Sequence, residues 1–292
     1  MDWNTDYRSI IVEPGRITRI IHNEPEKMNA MTMDFEKEFI DALRQACEDP
    51  EVTVVTLTAT GPYFCAGHEL RDSPKKIVGH KLPYYEEDWR RYVDFHRHGY
   101  MYPLWDFPKP VVCGVQGGAN TGGAELAAMC DITVVAEDAV FGYEVLRWGT
   151  AGANALIYTG SWKKAAEIYL TGWNFDAQKA LDLGLATKVV PPDKVEEEVM
   201  RYANIIALLP AESVVLQKLA IRFAVNEMGA RQTMFYGWEC DIMAHVAKSG
   251  QESGDELSRY AAEHRSLRAA LEKSDEPFMK YGYERHSTKK KK

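Results

Sequence analysis

The sequence predicts a mixed α/β body followed by a helical C-terminal region. Three observations carry this. Short β-branched runs alternate with segments of helical period through the first two thirds of the chain. Residues 109–137, KPVVCGVQGGANTGGAELAAMCDITVVAE, run as strand, glycine-rich turn, helix and strand. After Pro191-Pro192 no strand-like run occurs, only helical stripes. The expected division is a body over residues 1–191 and a helical region over 192–292.

In chain order, residues 10–12 and 17–21 are predicted strands joined by Glu13-Pro14-Gly15-Arg16, in which Pro-Gly marks the turn. A loop over 24–31 leads to Thr32, which caps a helix whose buried stripe is Phe35, Phe39, Leu43 and Ala46. Residues 52–58 are a β-branched strand, followed by a turn and Ala66-Gly67-His68. Residues 73–88 are polar and read as a loop; residues 89–104 read as an aromatic-rich helix that Phe107-Pro108-Lys109-Pro110 ends. Beyond the central stretch, 139–145 is extended, 162–170 and 177–183 are helices, and 187–190 is a strand. Helices are expected over 195–208, 211–228, 231–247 and 255–272.

The central stretch carries the chemistry. Gly117, Gly118, Gly122 and Gly123 permit turn dihedrals and let a ligand approach the backbone with no Cβ in the way. The helix that follows offers unpaired N–H groups and a positive dipole end, which suit a polarised carbonyl. Glu125 sits within its first turn among small and apolar residues, as either a buried partner or a catalytic group. The glycine pattern is not GxGxxG, and neither a P-loop nor a metal-ligand cluster occurs, so no resident cofactor is expected.

Composition sets outer limits. The chain has 292 residues, 46% hydrophobic and 27% charged, enough for one large core. A net charge of -8 argues against nucleic acid as a general partner. The basic run 289–292 is terminal and reads as a solubility feature. Cys47, Cys65, Cys113, Cys130 and Cys240 are odd in number and irregularly spaced, as expected for reduced thiols in a cytoplasmic protein. No secretory or transit segment and no membrane span is expected.

Four pieces then resemble the crotonase (enoyl-CoA hydratase/isomerase) superfamily. Lys27-Met28-Asn29-Ala30-Met31 is similar to its "RxNAL" loop, and Phe64-Cys65-Ala66-Gly67-His68-Glu69-Leu70 to "FCAGADL". Residues 115–126 resemble "VNGxAxGGGxEL", and residues 127–137 resemble "AxxCDxxxAxE". Their order and spacing agree with the family over nearly the whole chain. The resemblance implies a spiral of ββα units with a C-terminal helical region, assembled as homotrimers or dimers of trimers. It implies acyl-CoA thioester substrates, with coenzyme A present only as part of the substrate. It implies an oxyanion hole from the N–H groups of His68 and Gly122, and substrate contacts at Met28, Ala30, Ala66, His68, Leu70, Gly122 and Val145. Water addition to an α,β-unsaturated acyl-CoA is the simplest activity it implies. A double-bond isomerase, a thioester hydrolase or C–C lyase, and a non-catalytic acyl-CoA-binding or partner subunit are the alternatives.

Glu125 matches the first acidic position of the hydratases. Glu144 is expected as the second, but the family's glutamate stands three residues after the FG glycine and here stands two after Gly142. In an extended segment that shift turns a side chain to the opposite face, so Glu144 reaches the site only through a bulge. Ungapped, Val145 takes its place. His68 replaces a small residue and either lines or shields the pocket. Tyr143, Trp105 and Trp148 are lining or core aromatics. His98 falls where the 4-chlorobenzoyl-CoA dehalogenase branch has a histidine, but Ala153 and Asn154 stand where that branch needs an aspartate, so His96 and His98 read as surface residues.

Overall fold

The computed structural model describes residues 2–69, 99–147, 149–150 and 152–283. Leu70, the polar loop 73–88, most of the helix expected over 89–104, His96, His98, Trp148 and the basic tail lie outside the described residues.

Six strands form the main sheet: β1 (Ile10–Glu13), β2 (Ile17–His22), β3 (Val54–Ala59), β4 (Val111–Val115), β6 (Ile132–Ala136) and β9 (Lys188–Val190), in that spatial order. Only β1 and β2 pair antiparallel, across the Pro-Gly turn; the other neighbours are parallel. Parallel strands are covered on both faces, which is why β3 and β4 are near-continuous buried runs rather than alternating ones. A second sheet holds β5 (Gly118–Asn120), β7 (Val140–Gly142) and β8 (Phe175–Asp176) in the order β5-β7-β8. The glycines of the central stretch thus supply a short strand as well as a turn.

Helix α1 (Met33–Glu48) packs on β1 and β2. The Thr32 hydroxyl accepts from Phe35 N at 3.1 Å and starts it. Phe35 and Phe39 are fully buried, and the His22 ring stacks on Phe35 at 3.9 Å. Neither His22 ring nitrogen has a hydrogen-bond partner among the described residues, and burial lowers its pKa to about 3. Helix α2 (Met101–Trp105) precedes β4, and α3 (Gly122–Met129) joins β5 to β6. Helices α4 (Trp162–Thr171) and α5 (Ala177–Leu183) follow the second sheet.

From residue 192 onward the described residues form helices and turns: α6 (Val195–Ala207), α7 (Ala211–Glu227), α8 (Ala230–Val246), α9 (Lys248–His264) and α10 (Leu267–Met279). Helix α6 covers β3 and β4 so closely that a Cβ on Gly114 would stand 2.9 Å from Val199 and 3.0 Å from Val195. Helix α7 docks through charge. Lys218 Nζ lies 2.7 Å from Asp131 Oδ2, and Arg222 lies 3.0 Å from Asp131 Oδ1 and stacks over Trp105. Its apolar residues Leu216, Leu219, Ile221 and Phe223 stay exposed.

The single helix expected over 255–272 is two. Arg265 takes a left-handed φ of 49° and ends α9, and the Ser266 hydroxyl accepts from Ala269 N at 3.1 Å to start α10. Among the described residues no single helix is long and apolar enough to cross a membrane.

Candidate active site

Three extended segments lie side by side at the start of α3. Cys65 bridges Ala119, and His68 bridges Met31, both in parallel. Asn120 N donates to Cys65 O at 3.0 Å, and Met31 N donates to Gly67 O at 2.8 Å. The loop before Met31 is shaped by Asn29, whose φ of 51° is left-handed. Its side chain accepts from Glu24 N and donates to the carbonyls of Thr60 and Tyr63. Met28 is half exposed and its carbonyl accepts from Ala66 N, while Ala30 is buried.

Gly67 has a φ of 86°, and a Cβ there would stand 2.8 Å from Asn120 O and 3.6 Å from Gly122 N. The chain at Gly67-His68 therefore abuts the first residue of α3. Thr121, ahead of that helix, has φ 41° and ψ -99°, an outlier for a β-branched residue. Its N–H donates to Gly142 O at 2.7 Å and its carbonyl accepts from Glu125 N, so both neighbours hold the strain. The helix then opens at Gly122, whose N–H makes no hydrogen bond among the described residues. A Cβ on Gly122 would meet the Met31 methyl at 2.4 Å and the His68 ring at 3.1 Å; one on Gly123 would meet Cys65 O at 2.5 Å. Close packing rather than turn dihedrals favours glycine here, against the Cys65 carbonyl at Gly123 and against the Met31 and His68 side chains at Gly122.

Glu125 is 1% exposed. Its Oε1 accepts from Tyr169 Oη at 2.8 Å and Tyr143 Oη at 3.0 Å, and its Oε2 accepts from Ala155 N at 3.0 Å. Burial raises its pKa to about 7, against the pull of those three donors. Burial also pushes both tyrosines well above their ordinary value, so each is a neutral donor. A carboxylate that takes and returns a proton near neutrality thus sits one turn from the open Gly122 N–H.

Glu144 meets a different tyrosine from the two that hold Glu125. Tyr143 takes the inward position after Gly142, and the chain then turns as a single 3-10 turn, Glu144–Arg147, where an extended strand was expected. Glu144 is buried, with Oε1 accepting from Tyr283 Oη at 3.3 Å and Oε2 close to Gly142. Arg147 pairs with Asp275 of α10 and lies over the rings of Phe278 and Tyr283. No bulge re-aims the glutamate; a turn fastens it to the C-terminal segment. Val145 is half-buried in the same turn.

Sequence reasoning missed Tyr169, the Ala155 N–H and buried Glu36. Glu36 Oε1 lies 3.5 Å from His68 Nε2. Tyr100, beside the His68 ring, donates to Gly122 O at 3.1 Å. The described residues hold no cluster of three metal-ligating side chains. A cavity of about 410 Å³ lies over α9 and α10, and Asp275 and Tyr283 are among the residues that line it.

The family model for Enoyl-CoA hydratase/isomerase matches residues 13–253. A Danio rerio protein named enoyl-CoA hydratase domain-containing protein 3, mitochondrial, is 30% identical over 207 residues, covering 70% of this chain and 69% of its own. An enoyl-CoA hydratase/isomerase structure from Xanthobacter autotrophicus Py2 superposes with a TM-score of 0.82 at 27% identity, over 93% of this chain and 99% of that one. An enoyl-CoA hydratase structure from Mycobacterium smegmatis gives 0.83 at 25% identity, over 99% and 100%. The chain belongs to the enoyl-CoA hydratase/isomerase family and has the crotonase fold.

Proposed function

We propose that this member of the enoyl-CoA hydratase/isomerase family moves a proton on an unsaturated acyl-CoA thioester with Glu125 as its one carboxylate base. The observation that carries this reading is the Glu125 cage. A carboxylate with a pKa of about 7 stands in the first turn of a helix whose leading N–H, at Gly122, is open beside His68. The thioester oxygen accepts from the Gly122 and His68 N–H groups. Glu125 takes a proton from the substrate carbon chain, the electron pair moves into the conjugated enolate, and the fixed donors carry the oxygen's charge. Returning that proton at a different carbon shifts the double bond, which needs one base. Met28, Ala30 and Ala66 form the wall that meets the coenzyme A portion, and Glu144 is left out of the chemistry.

Water addition is the second reading, favoured by the relatives that bear the name enoyl-CoA hydratase. There Glu125 takes the proton of an attacking water, and a second group must protonate Cα. We also propose a homotrimer or dimer of trimers, because Leu208, Leu209, Leu216, Leu219, Ile221 and Phe223 are all exposed apolar side chains.

A panel of aliphatic, aromatic and alicyclic enoyl-CoAs read by mass spectrometry tests the activity. Isomerisation leaves mass unchanged and is read by a shifted chromatographic retention of the thioester, hydration adds water, and hydrolysis frees CoA. Glu125→Gln is expected to lose on the order of a hundred- to ten-thousandfold in kcat. No turnover of any thioester by the wild-type chain refutes the reading.

A further inference from the structure

The donors around Glu125 leave its two oxygens unequal. An ionised carboxylate has about four lone-pair positions, two on each oxygen. Both positions on Oε1 are filled: it accepts from Tyr169 Oη at 2.8 Å and from Tyr143 Oη at 3.0 Å. On Oε2 one is filled, by Ala155 N at 3.0 Å. One open position remains, on Oε2. The two phenol rings are buried and stand edge to face, with centroids 5.1 Å apart, so both hydroxyls converge on the same oxygen.

We infer that Oε2 is the working oxygen of Glu125, and that Tyr143, by occupying Oε1, is a positioning residue that turns the site toward double-bond shift and against water addition. The inference rests on the reading of Glu125 as the base of an acyl-CoA enzyme. A proton cannot land on Oε1 without displacing a phenol hydroxyl, so the open position on Oε2 takes it. A C–H bond of the substrate breaks, its electron pair enters the enolate, and the proton binds Oε2. The same oxygen then gives that proton to a second carbon, and no water is consumed. The phenols stay neutral donors throughout, because burial holds both well above their ordinary pKa.

Water addition asks more of the carboxylate. A water held by one hydrogen bond swings about it; a second acceptor aims its lone pair at the carbon to be attacked. Oε1 of the same carboxylate would be that second acceptor, and the Tyr143 hydroxyl takes its place. The strand before it puts the ring there. Gly142 ends β7, and its carbonyl accepts from Thr121 N at 2.7 Å, the residue ahead of the Gly122 helix start. Tyr143 follows, its ring parallel to that of Phe175 with centroids 6.3 Å apart and its hydroxyl on Glu125. Removing that hydroxyl leaves a polar gap faced by Glu125 Oε1 and Tyr169 Oη, the two partners a buried water needs.

The test has two arms, both on the full-length protein. An infrared difference spectrum taken between acid and alkaline sides of pH 7 reads the Glu125 carboxyl, whose pKa is about 7, and Glu125→Gln assigns its band by its disappearance. With the proton on Oε2, the C=O oxygen is Oε1 and carries both phenol bonds, so its stretch should move to higher frequency in Tyr143→Phe. A band that stays put places the proton on Oε1 and overturns the inference. The second arm turns over enoyl-CoA in ¹⁸O-enriched water and resolves the double-bond-shifted and hydrated thioesters by chromatography and mass spectrometry. The shifted product should dominate in the wild type, and the ratio of hydrated to shifted product should rise about tenfold in Tyr143→Phe, the worth of one hydrogen bond to a charged group. Tyr143→Ala, which also opens room, should raise it at least as far. A role in the fold alone would lower both products together. A ratio unmoved in both variants, or a wild-type chain that chiefly adds water, overturns the inference while the acyl-CoA reading stands. If Tyr143→Ala does not fold, Tyr143→Phe, which keeps the ring, decides. A wild-type chain that turns over no thioester removes the reading and the inference together, whatever the carboxyl band does.

Discussion

Tyr169→Phe deletes one hydroxyl from the Glu125 cage and leaves the ring in place. That hydroxyl lies 2.8 Å from Glu125 Oε1 in a fully buried setting, and it is one of three donors that hold the carboxylate's pKa down to about 7. A hydrogen bond to a charged group contributes about 1.5–3 kcal/mol. The protonated carboxyl keeps part of that bond, so the differential is about one pKa unit, roughly 1.4 kcal/mol. At pH 7 the wild-type base is about half ionised; with its pKa near 8 about a tenth is ionised. The variant should therefore run about fivefold slower at pH 7 and approach the wild-type rate near pH 9. The assay is kcat/KM against pH, whose acid limb reports the base of the free enzyme. Leu156 N also loses its acceptor, at 3.1 Å from Tyr169 Oη, so thermal unfolding must be followed to confirm that the variant is folded across the range. An acid limb that stays where it was, with activity lowered equally at every pH, refutes the claim that this cage sets the base.

Three other outcomes follow from the same geometry. Gly122→Pro deletes the open N–H and should cost about a hundredfold in kcat; its Cβ must displace the Met31 methyl, so thermal unfolding is followed alongside, and full activity in a folded variant places the oxyanion hole elsewhere. Glu144→Gln should stay within about tenfold of the wild-type rate, because its carboxylate engages Tyr283; a loss as deep as that of Glu125→Gln restores a two-carboxylate hydratase. His22 is neutral in the fold, with a pKa of about 3 against an ordinary 6.5, so its contribution is complete above 6.5 and is lost as pH falls toward 3. By pH 5 that loss is about 2 kcal/mol, and urea midpoints at pH 7 and pH 5 should differ less in His22→Phe than in the wild type.

How much of this was legible in the sequence depends on how far apart the partners lie. The glycine-rich turn, the helix start at Gly122 and Glu125 fall in one short local pattern and could be read from the residues, whereas the pairing of the His68 and Gly122 N–H groups came only from the family resemblance. The groups that set the behaviour of Glu125 could not: Tyr169 comes from 44 residues away and the Ala155 N–H from 30. A buried tyrosine in a helix has the pattern of ordinary core, and nothing local marks its hydroxyl as the donor to a distant carboxylate. Glu36 was hidden for the opposite reason, since a glutamate beside Phe35 in a helix's first turn has the pattern of a dipole-favoured surface acid. At Glu144 the register count was informative. It marked a departure from the family pattern, but it assumed an extended segment where the chain forms a 3-10 turn, and the tyrosine that meets the carboxylate, Tyr283, lies 139 residues downstream.

Those distant contacts tie the helical region to the body through the site itself. Gly237 of α8 packs so closely that a Cβ there would stand 1.8 Å from Gly152 O, and the neighbouring Trp238 ring fills the space against Gly152. From the same helix Asp241 accepts from Thr150 N at 2.9 Å. These contacts fix the segment that ends at Ala155, whose N–H is one of the three donors to Glu125. Farther along, Asp275 and Tyr283 grip the turn that carries Glu144 and Arg147, and Tyr143, immediately before that turn, supplies the second donor. Two of the three hydrogen bonds that tune Glu125 thus sit on loops braced by the C-terminal helices. The third, Tyr169, comes from α4 within the body. Loosening α8 or α10 would free the Ala155 and Tyr143 donors while leaving the Gly122 helix start in place, so the base's pKa would rise before the oxyanion geometry was lost.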